Sequence, residues 1–200
     1  MIRRRFLAVA TLPGVLFAAG CDRIFAPLKG PFHGVDVTGT DLKGELRLRD
    51  HTGKDRSLAD FRGKVVALFF GYTQCPDVCP TTLSDMANAM QLLGADAQRV
   101  QVLFVTVDPK RDTPELLSQY VPAFNPGFLG LYGDASATAR VTKDFKIYAQ
   151  ERPGSQPGTY TVDHSAQTLV FDREGRLRLM LPYGLEPAKI AADLKVLLNS

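Results

Sequence analysis

The apolar residues of this chain follow two patterns, short unbroken runs and longer stretches with helical spacing. Residues 65–70 and 100–107 are runs dominated by aliphatic and aromatic residues, which are typical of parallel strands buried on both faces. The first run precedes a stretch over about residues 80–93 whose apolar positions recur at helical spacing. Met86 and Met90 lie on the inner face of this predicted helix, so we interpret both methionines as core residues rather than metal ligands.

The remaining elements follow in the order of an α/β domain. Thr113 is expected to cap a helix that begins at Pro114 and is limited by Pro122 and Pro126. The other predicted elements are a hairpin with strands near 46–48 and 57–58, an edge strand over 129–132, a helix over 135–145, a hairpin over 168–180 and a final helix over 187–198. The order βαβα followed by ββα predicts a thioredoxin-like α/β fold with an N-terminal β-hairpin extension and an inserted helix.

Residues 1–20 have the layout of a secretory signal, with three arginines near the start, an apolar stretch and then small residues. The apolar stretch is shorter than the roughly twenty residues that a membrane-spanning helix needs. Ala18-Ala19-Gly20-Cys21 resembles the lipobox of bacterial lipoproteins, so we expect lipidation of Cys21 on the periplasmic face of the inner membrane. Cleavage elsewhere, to give a soluble exported protein, and an uncleaved anchor are the alternatives. The arginines also fit a twin-arginine signal.

The rest of the chain has the length and composition of one globular domain. Residues 21–34 contain Pro27, Gly30 and Pro31 without a helical or strand period, and we interpret them as a tether. Residues 35–200 form the predicted thioredoxin-like domain. The chain carries 24 basic and 21 acidic residues, and the charges balance once the three arginines of the signal are set aside. A neutral domain argues against nucleic-acid binding.

Two of the three cysteines, Cys75 and Cys79, follow the first apolar run at the predicted junction between strand and helix. Such a pair can form a disulfide, exchange disulfides or bind a soft metal. Within one helical turn their Cα atoms would lie about 6 Å apart, which permits a disulfide. A disulfide between Cys75 and Cys79 would close a very short loop and so would stabilise the fold little, which disfavours a purely structural disulfide. Both cysteines precede prolines, where a helix often starts, and the helix dipole lowers the pKa of a thiol there. Pro80 is expected to disturb the first turn.

His164 lies in a predicted loop just before the final strand pair, a position that thioredoxin-like topology places beside the cysteine loop. Two thiolates and an imidazole suit Cu(I), and an added oxygen ligand would suit Cu(II). Zinc would require a fourth ligand, for which Asp163 is the candidate. Asp163 is equally a candidate to orient the imidazole. On these residues alone, a solvated or hydrogen-bonded His164 remains an alternative.

Three other polar residues have side chains that could bind a metal. His33 in the tether and His51 in the first hairpin turn are both expected to be solvated. Asp108 ends the second apolar run, in a segment whose turn and capping chemistry accounts for most of its residues. Its place at the end of a predicted central strand nevertheless makes Asp108 a candidate contributor to the site.

At this point the sequence resembles the Sco (SenC-like) proteins, copper-binding assembly factors for cytochrome c oxidase. The motifs that carry the resemblance are residues 34–39, 61–64, 71–80, 107–115 and 160–165. The resemblance implies that Cys75, Cys79 and His164 are copper ligands. It also implies delivery of copper to the CuA site of oxidase subunit II, or reduction of the thiols of that site. Family members are often held by a transmembrane helix, whereas here the lipobox-like Cys21 is expected to provide the anchor.

Two functions are consistent with these residues and with the resemblance. The leading hypothesis is a copper metallochaperone that uses Cu(I), Cu(II) or both. Its expected partners are the CuA domain of subunit II and, through the lipid anchor, the membrane. Another periplasmic copper carrier is a further candidate partner. The alternative is a thiol–disulfide oxidoreductase with Cys75 and Cys79 as its redox pair. A peroxidase of the peroxiredoxin kind is disfavoured, because Tyr72 stands where that family has a threonine.

Overall fold

The computed structural model describes residues 30–40, 42 and 44–200. Its strands are β1 (Val35–Asp36), β2 (Leu48–Asp50), β3 (Asp55–Arg56), β4 (Val65–Gly71), β5 (Val100–Thr106), β6 (Leu129–Tyr132), β7 (Ala149–Pro153), β8 (Tyr160–His164), β9 (Thr168–Phe171) and β10 (Leu177–Leu181). Its α-helices are α1 (Val78–Leu93), α2 (Pro114–Phe124), α3 (Ala135–Asp144) and α4 (Pro187–Leu198). The predicted signal, the lipobox cysteine Cys21 and most of the predicted tether lie outside the described residues.

Eight strands form one mixed sheet in the order β1-β10-β9-β4-β5-β6-β2-β3. The central strands β4, β5 and β6 are parallel, and β9 runs antiparallel to β4. Every residue of β4 and β5 is buried, as their unbroken apolar runs predict. Helix α1 packs against α4 and α2, and Met86 and Met90 lie in the core. This is the thioredoxin-like α/β arrangement predicted from the sequence, with the β2–β3 hairpin as its extension and α3 as its insertion.

Three local predictions are wrong in detail. Strand β6 is not an edge strand, because the β2–β3 hairpin pairs with it and takes the edge position. Pro122 does not end α2, which continues to Phe124. His164 does not lie in a loop, since it ends β8, which pairs with β7 in a separate two-stranded sheet. The first of these errors reflects a strand pairing that is distant in sequence.

The chain enters the domain through a contact with the last helix. Asp193 of α4 is fully buried, and its carboxylate accepts hydrogen bonds from the backbone amides of His33 (2.8 Å) and Gly34 (2.7 Å). The Nδ1 atom of His33 lies 2.9 Å from the same carboxylate. His51 is also ordered, because its Nδ1 accepts a hydrogen bond from the amide of Gly130 at 3.0 Å. Both histidines therefore have protein partners. His33 is nevertheless exposed, as expected, whereas His51 is partly buried, contrary to the expectation that it is solvated.

Within the part of the chain that the structure describes, no helix combines the length and the apolar character needed to cross a bilayer.

Candidate metal centre

Cys75, Cys79 and His164 converge at the carboxyl end of β4. Their two sulfurs and one imidazole nitrogen all lie within 4.8 Å of one another. Cys75 comes from the loop after β4, Cys79 from the first turn of α1, and His164 from the end of β8. The predicted set is thus brought together by three elements that are distant in sequence.

The two cysteines differ in their surroundings. Cys79 is fully buried, and its Sγ lies 3.3 Å from Nε2 of His164. Cys75 is partly exposed, and its sulfur accepts a hydrogen bond from the backbone amide of Cys79 at 3.4 Å. Cys75 precedes the helix, so the expectation that both cysteines share one helical turn is wrong. Pro80 falls in the first turn of α1, where a missing amide proton costs no hydrogen bond, and the Thr81 amide bonds regularly to the carbonyl of Asp77 (3.1 Å).

The same asymmetry sets the protonation of the pair. A hydrogen bond from the Cys79 side chain, aided by the backbone amides of Cys79 and Asp77, lowers the pKa of Cys75 to about 4 despite partial burial. That hydrogen bond and the burial of its sulfur raise the pKa of Cys79 far above that of an ordinary thiol. At neutral pH, Cys75 is therefore a thiolate and Cys79 a thiol. The sequence-based expectation of easy ionisation holds for Cys75 alone.

The imidazole of His164 is oriented by the backbone. Its Nδ1 lies 2.9 Å from the carbonyl oxygen of Ser165, which directs the Nδ1 proton to that oxygen and leaves Nε2 facing the sulfur of Cys79. The rings of Phe69 and Tyr72 pack edge-on against the imidazole, with centroids 6.1 Å and 5.8 Å away. Asp163, the other candidate to orient the ring, instead pairs with Arg152 at 3.0 Å.

The donor set and the fold together point to a known family. A family model described as SCO1/SenC matches residues 35–199, which is most of the chain. The chain belongs to the SCO1/SenC family.

Individual members of this family match over most of the domain. The SCO2 homologue of Danio rerio is 39% identical over 135 residues, which cover 66% of this chain and 48% of that protein. The SCO2-like protein of Rickettsia prowazekii is 36% identical over 151 residues, or 75% of this chain and 73% of that protein. The copper-bound structure of Bradyrhizobium japonicum ScoI superimposes with a TM-score of 0.72 at 39% identity, covering 78% of this chain and 98% of that one. The chain spans about half the length of the vertebrate SCO2 homologues that it matches.

The connection between β5 and α2 supports the metal centre of this SCO1/SenC chain. Asp112 is buried and accepts hydrogen bonds from the hydroxyls of Thr73 and Thr106, both at 2.6 Å. Burial raises the pKa of Asp112 above its ordinary value, against the lowering effect of these bonds. Asp108 is also buried, and it accepts a hydrogen bond from the hydroxyl of Tyr160 at 2.8 Å. Asp108 thus lies beside the centre as a supporting group and outside the three-residue cluster.

Sequence reasoning missed Asp112, Arg111 and Tyr160 as supports of the centre. Turn and capping chemistry accounts for the segment after β5 that holds Arg111 and Asp112, and no sequence pattern singles out Tyr160. The available signal was the position of these charged residues directly after a buried central strand, at the edge of the sheet where the cysteine loop also lies.

An open cavity of 440 Å³ gives access to the centre. Its walls include Tyr72, Cys75, Pro76, Val162 and His164. A larger groove of 1110 Å³ lies between the β2–β3 hairpin and the connection from β6 to α3, away from the thiols. The smaller cavity is therefore the one that opens onto Cys75 and His164.

Proposed function

We propose that this SCO1/SenC chain is a copper metallochaperone that binds copper through Cys75, Cys79 and His164 and assists assembly of the CuA centre of cytochrome c oxidase. The observation that carries the proposal is the convergence of two sulfurs and an imidazole nitrogen within 4.8 Å. Copper is further supported by the copper-bound Bradyrhizobium ScoI, a relative that is 39% identical. Assembly of the oxidase is the role that the resemblance to the Sco proteins implies.

The chemistry of the donors favours copper over harder metals. Thiolate and imidazole ligands suit Cu(I), whereas Mg²⁺ and Ca²⁺ require oxygen ligands. No carboxylate belongs to the cluster found among the described residues, and Asp163, the fourth ligand considered for zinc, is paired with Arg152. The residues that are present therefore fit a copper ion better than a structural zinc ion, which is usually held by four protein ligands.

Protonation determines how copper enters. Because Cys75 is already a thiolate, it provides the first ligand, and Nε2 of His164 faces the same space. The proton of the Cys79 thiol must leave before its sulfur binds, so uptake releases about one proton for each copper at neutral pH. In delivery, the thiolates of a partner's CuA site replace these ligands stepwise, beginning at the exposed Cys75, and Cys79 regains its proton.

The test is an anaerobic Cu(I) competition titration on reduced protein that begins at residue 30. The variants are Cys75→Ala, Cys79→Ala and His164→Ala, and His51→Ala is the matched control because it removes an ordered histidine elsewhere. Each ligand variant is expected to bind Cu(I) at least about tenfold more weakly, a loss of about 1.4 kcal/mol or more. Unchanged affinity in His164→Ala would contradict the three-ligand site.

The alternative function, reduction of a partner's disulfide, is favoured by one observation. Cys75 is partly exposed and has a low pKa, while Cys79 is buried and protonated, as expected of an attacking and a resolving thiol. The Cys75 thiolate would attack the partner's disulfide, form a mixed disulfide and release one partner thiolate. Cys79, once deprotonated, would attack the Cys75 sulfur and release the second, leaving Cys75 and Cys79 oxidised and the partner reduced by two electrons.

Substitution of His164 distinguishes the two functions. Disulfide exchange needs both cysteines but not the imidazole as a ligand, so His164→Ala should lose copper binding and keep reductase activity. The substrate for this assay is a CuA domain of subunit II whose two cysteines have been oxidised to a disulfide. Reduction of this disulfide by the wild-type protein and by His164→Ala at equal rates would support the reductase, and no reduction by either protein would contradict it.

We further propose that the domain of residues 35–200 is exported, held at the periplasmic face of the inner membrane by a lipid on Cys21, and supplied by another periplasmic copper carrier. The lipobox-like sequence before Cys21 supports the anchor. Intact-mass analysis of the membrane fraction tests it, with Cys21→Ser as the comparison. Release of Cys21→Ser into the soluble periplasm is expected, and unchanged membrane association would contradict a lipid anchor at this residue.

A further inference from the structure

The hairpin that carries His164 is built apart from the main sheet. Among the described residues, strands β7 and β8 pair only with each other, in a two-stranded sheet. All five residues of β7 are exposed, and in β8 only Val162 is buried. The cysteines, by contrast, lie in the loop after β4 and in the first turn of α1, where Cys79 is buried in the core. The placement of the imidazole therefore depends on contacts that this hairpin makes outside the sheet.

The strongest of these contacts involve the turn after β5. The Tyr160 hydroxyl donates a hydrogen bond to Oδ1 of Asp108 at 2.8 Å, and Nη1 of Arg111 donates one to the carbonyl oxygen of Tyr160 at 2.9 Å. The Arg111 guanidinium also stacks on the Tyr160 ring, with its central carbon 3.6 Å from the ring centroid. Asp108 is buried and forms an ion pair with Nε of Arg111. One residue of β8 is thus held through its backbone, ring and hydroxyl at once.

The same guanidinium also reaches the cysteine loop. Nη1 of Arg111 lies 3.2 Å from Oε1 of Gln74, the residue before Cys75. Near the cysteine loop, the central carbon of the Arg111 guanidinium also lies 5.6 Å from the centroid of the Tyr72 ring. Tyr72 in turn packs edge-on against His164. Arg111 therefore lies between the loop that carries Cys75 and the hairpin that carries His164.

We propose that Tyr160, Arg111 and Asp108 form a latch that holds the β7–β8 hairpin in place and so positions His164 against Cys79. The proposal rests on the proposed function, because it concerns the third ligand of the same centre. These three are positioning residues that act through His164. When the latch opens, the imidazole leaves with the hairpin while both cysteines stay in place, so copper is held by two ligands and is transferred more readily.

The copper-free protein provides the first test. The Cε1 proton of His164 should have a shifted resonance in NMR spectra, because the rings of Phe69 and Tyr72 lie against the imidazole; His164→Ala assigns this signal. In Arg111→Met and Tyr160→Leu the signal should move toward the position of a solvent-exposed histidine. The matched control is Arg152→Gln, which breaks an ion pair to Asp163 within the hairpin but leaves the latch intact. A wild-type shift in both latch variants would overturn the proposal.

Copper binding gives the second test and separates an effect on His164 from an effect on Cys75. Arg111→Met should bind Cu(I) about 10- to 100-fold more weakly, the usual cost of losing a partner that orients a ligand. Its Cu(II) form should lose the nitrogen hyperfine coupling of one imidazole in electron paramagnetic resonance spectra. Arg152→Gln should keep both properties. In a His164→Ala background, Arg111→Met should change Cu(I) affinity by less than about twofold, and a larger loss there would show that Arg111 acts through the cysteine loop instead.

The conservative variant Tyr160→Phe guards against loss of folding in the larger substitutions. It keeps the ring under Arg111 and removes only the hydrogen bond to Asp108, so it should give the same shifts at smaller amplitude. Failure of the latch and failure of the copper site are distinguishable. A His164 signal that moves in the copper-free latch variants supports the latch even if His164→Ala binds copper normally, which would contradict only the ligand set.

Discussion

Gly71 ends β4 directly against the sulfur of Cys79. A Cβ atom at position 71 would lie 2.8 Å from Cys79 Sγ and 2.8 Å from a ring carbon of Phe104. Real Cβ atoms do not approach other heavy atoms this closely, so a side chain here must displace a sulfur or an aromatic ring of the core. The close approach explains why glycine precedes the cysteine loop, and it allows Cys79 to be fully buried.

Substitution Gly71→Ala is therefore expected to disturb both the fold and the metal centre. The added methyl group should lower the free energy of unfolding by about 1–3 kcal/mol, as overpacking of a core does. Because Cys79 must move relative to His164, Cu(I) affinity should also fall by about tenfold or more. Chemical denaturation and the Cu(I) competition titration measure the two effects.

Gly130→Ala is the control for this substitution. A Cβ atom at Gly130 in β6 would lie 3.1 Å from Val121 and 3.2 Å from Leu117, which is tight but distant from the thiols. It should cost stability without changing copper affinity. Equal copper affinity in Gly71→Ala and Gly130→Ala would show that the sulfur of Cys79 accommodates the extra methyl group.

The exposure of the two thiols predicts an order of chemical modification. In reduced, copper-free protein that begins at residue 30, iodoacetamide should modify Cys75 at least about ten times faster than Cys79, since Cys75 is accessible and already a thiolate. The pKa of Cys75 is lowered to about 4, so its rate should stay constant from pH 6 to 8, whereas an ordinary thiol with a pKa of about 8.5 gains reactivity over that range. Peptide mass spectrometry measures both rates, and equal labelling of the two cysteines would contradict the burial of Cys79.

The fold could be predicted where local sequence and burial agree. Strands β4 and β5 are apolar on both faces, and α2 begins with a cap at Thr113 whose side chain accepts a hydrogen bond from the Leu116 amide. Strand β7 gave no such signal. Its residues, Ala149–Pro153, are all exposed, so no apolar period marks the strand and it depends on pairing with β8.

The residues of the site also differ in how far the sequence alone could identify them. Cys75 and Cys79 could be singled out by their place after a buried strand, whereas His164 became a firm candidate only through the resemblance to the Sco proteins. Arg111 and Tyr160 could not be connected from sequence, because the stacking of a guanidinium on a ring joins residues 49 positions apart. Local patterns do not encode such contacts.

The hydroxyl of Thr73 is expected to help fix the cysteine loop. It donates to the buried carboxylate of Asp112 at 2.6 Å, two residues before Cys75. Thr73→Val keeps the shape of the side chain but removes this donor, so the free energy of unfolding should fall by about 1 kcal/mol. Cu(I) affinity should fall with it, because the Cys75 loop is held less firmly.

Thr142→Val is the matched control, because it removes a hydroxyl that bonds to the carbonyl of Thr138 within α3 (3.0 Å). It should leave Cu(I) affinity unchanged. A copper affinity for Thr73→Val equal to that of the control would mean that the remaining bond from the Thr73 amide to Asp112 suffices to hold the loop.

Asp50 predicts a specific dependence of stability on acid. It is fully buried in the turn of the β2–β3 hairpin, and although burial alone would raise its pKa, hydrogen bonds from Thr52, Arg56 and Lys54 lower the pKa to about 2. Since the folded pKa is below the unfolded value of about 3.9, the carboxylate stabilises the fold fully above pH 5 and loses this contribution as the pH falls toward 2. The size of the contribution at neutral pH is about 2 kcal/mol.

Asp50→Asn should therefore lower the free energy of unfolding by about 2 kcal/mol at pH 7 and by much less near pH 2, measured by urea denaturation across this range. Asp55→Asn, which alters the exposed partner of Arg49 in the same hairpin, should leave the free energy of unfolding close to that of wild type. A constant difference between Asp50→Asn and wild type from pH 2 to 7 would show that Asp50 contributes through packing and not through its charge.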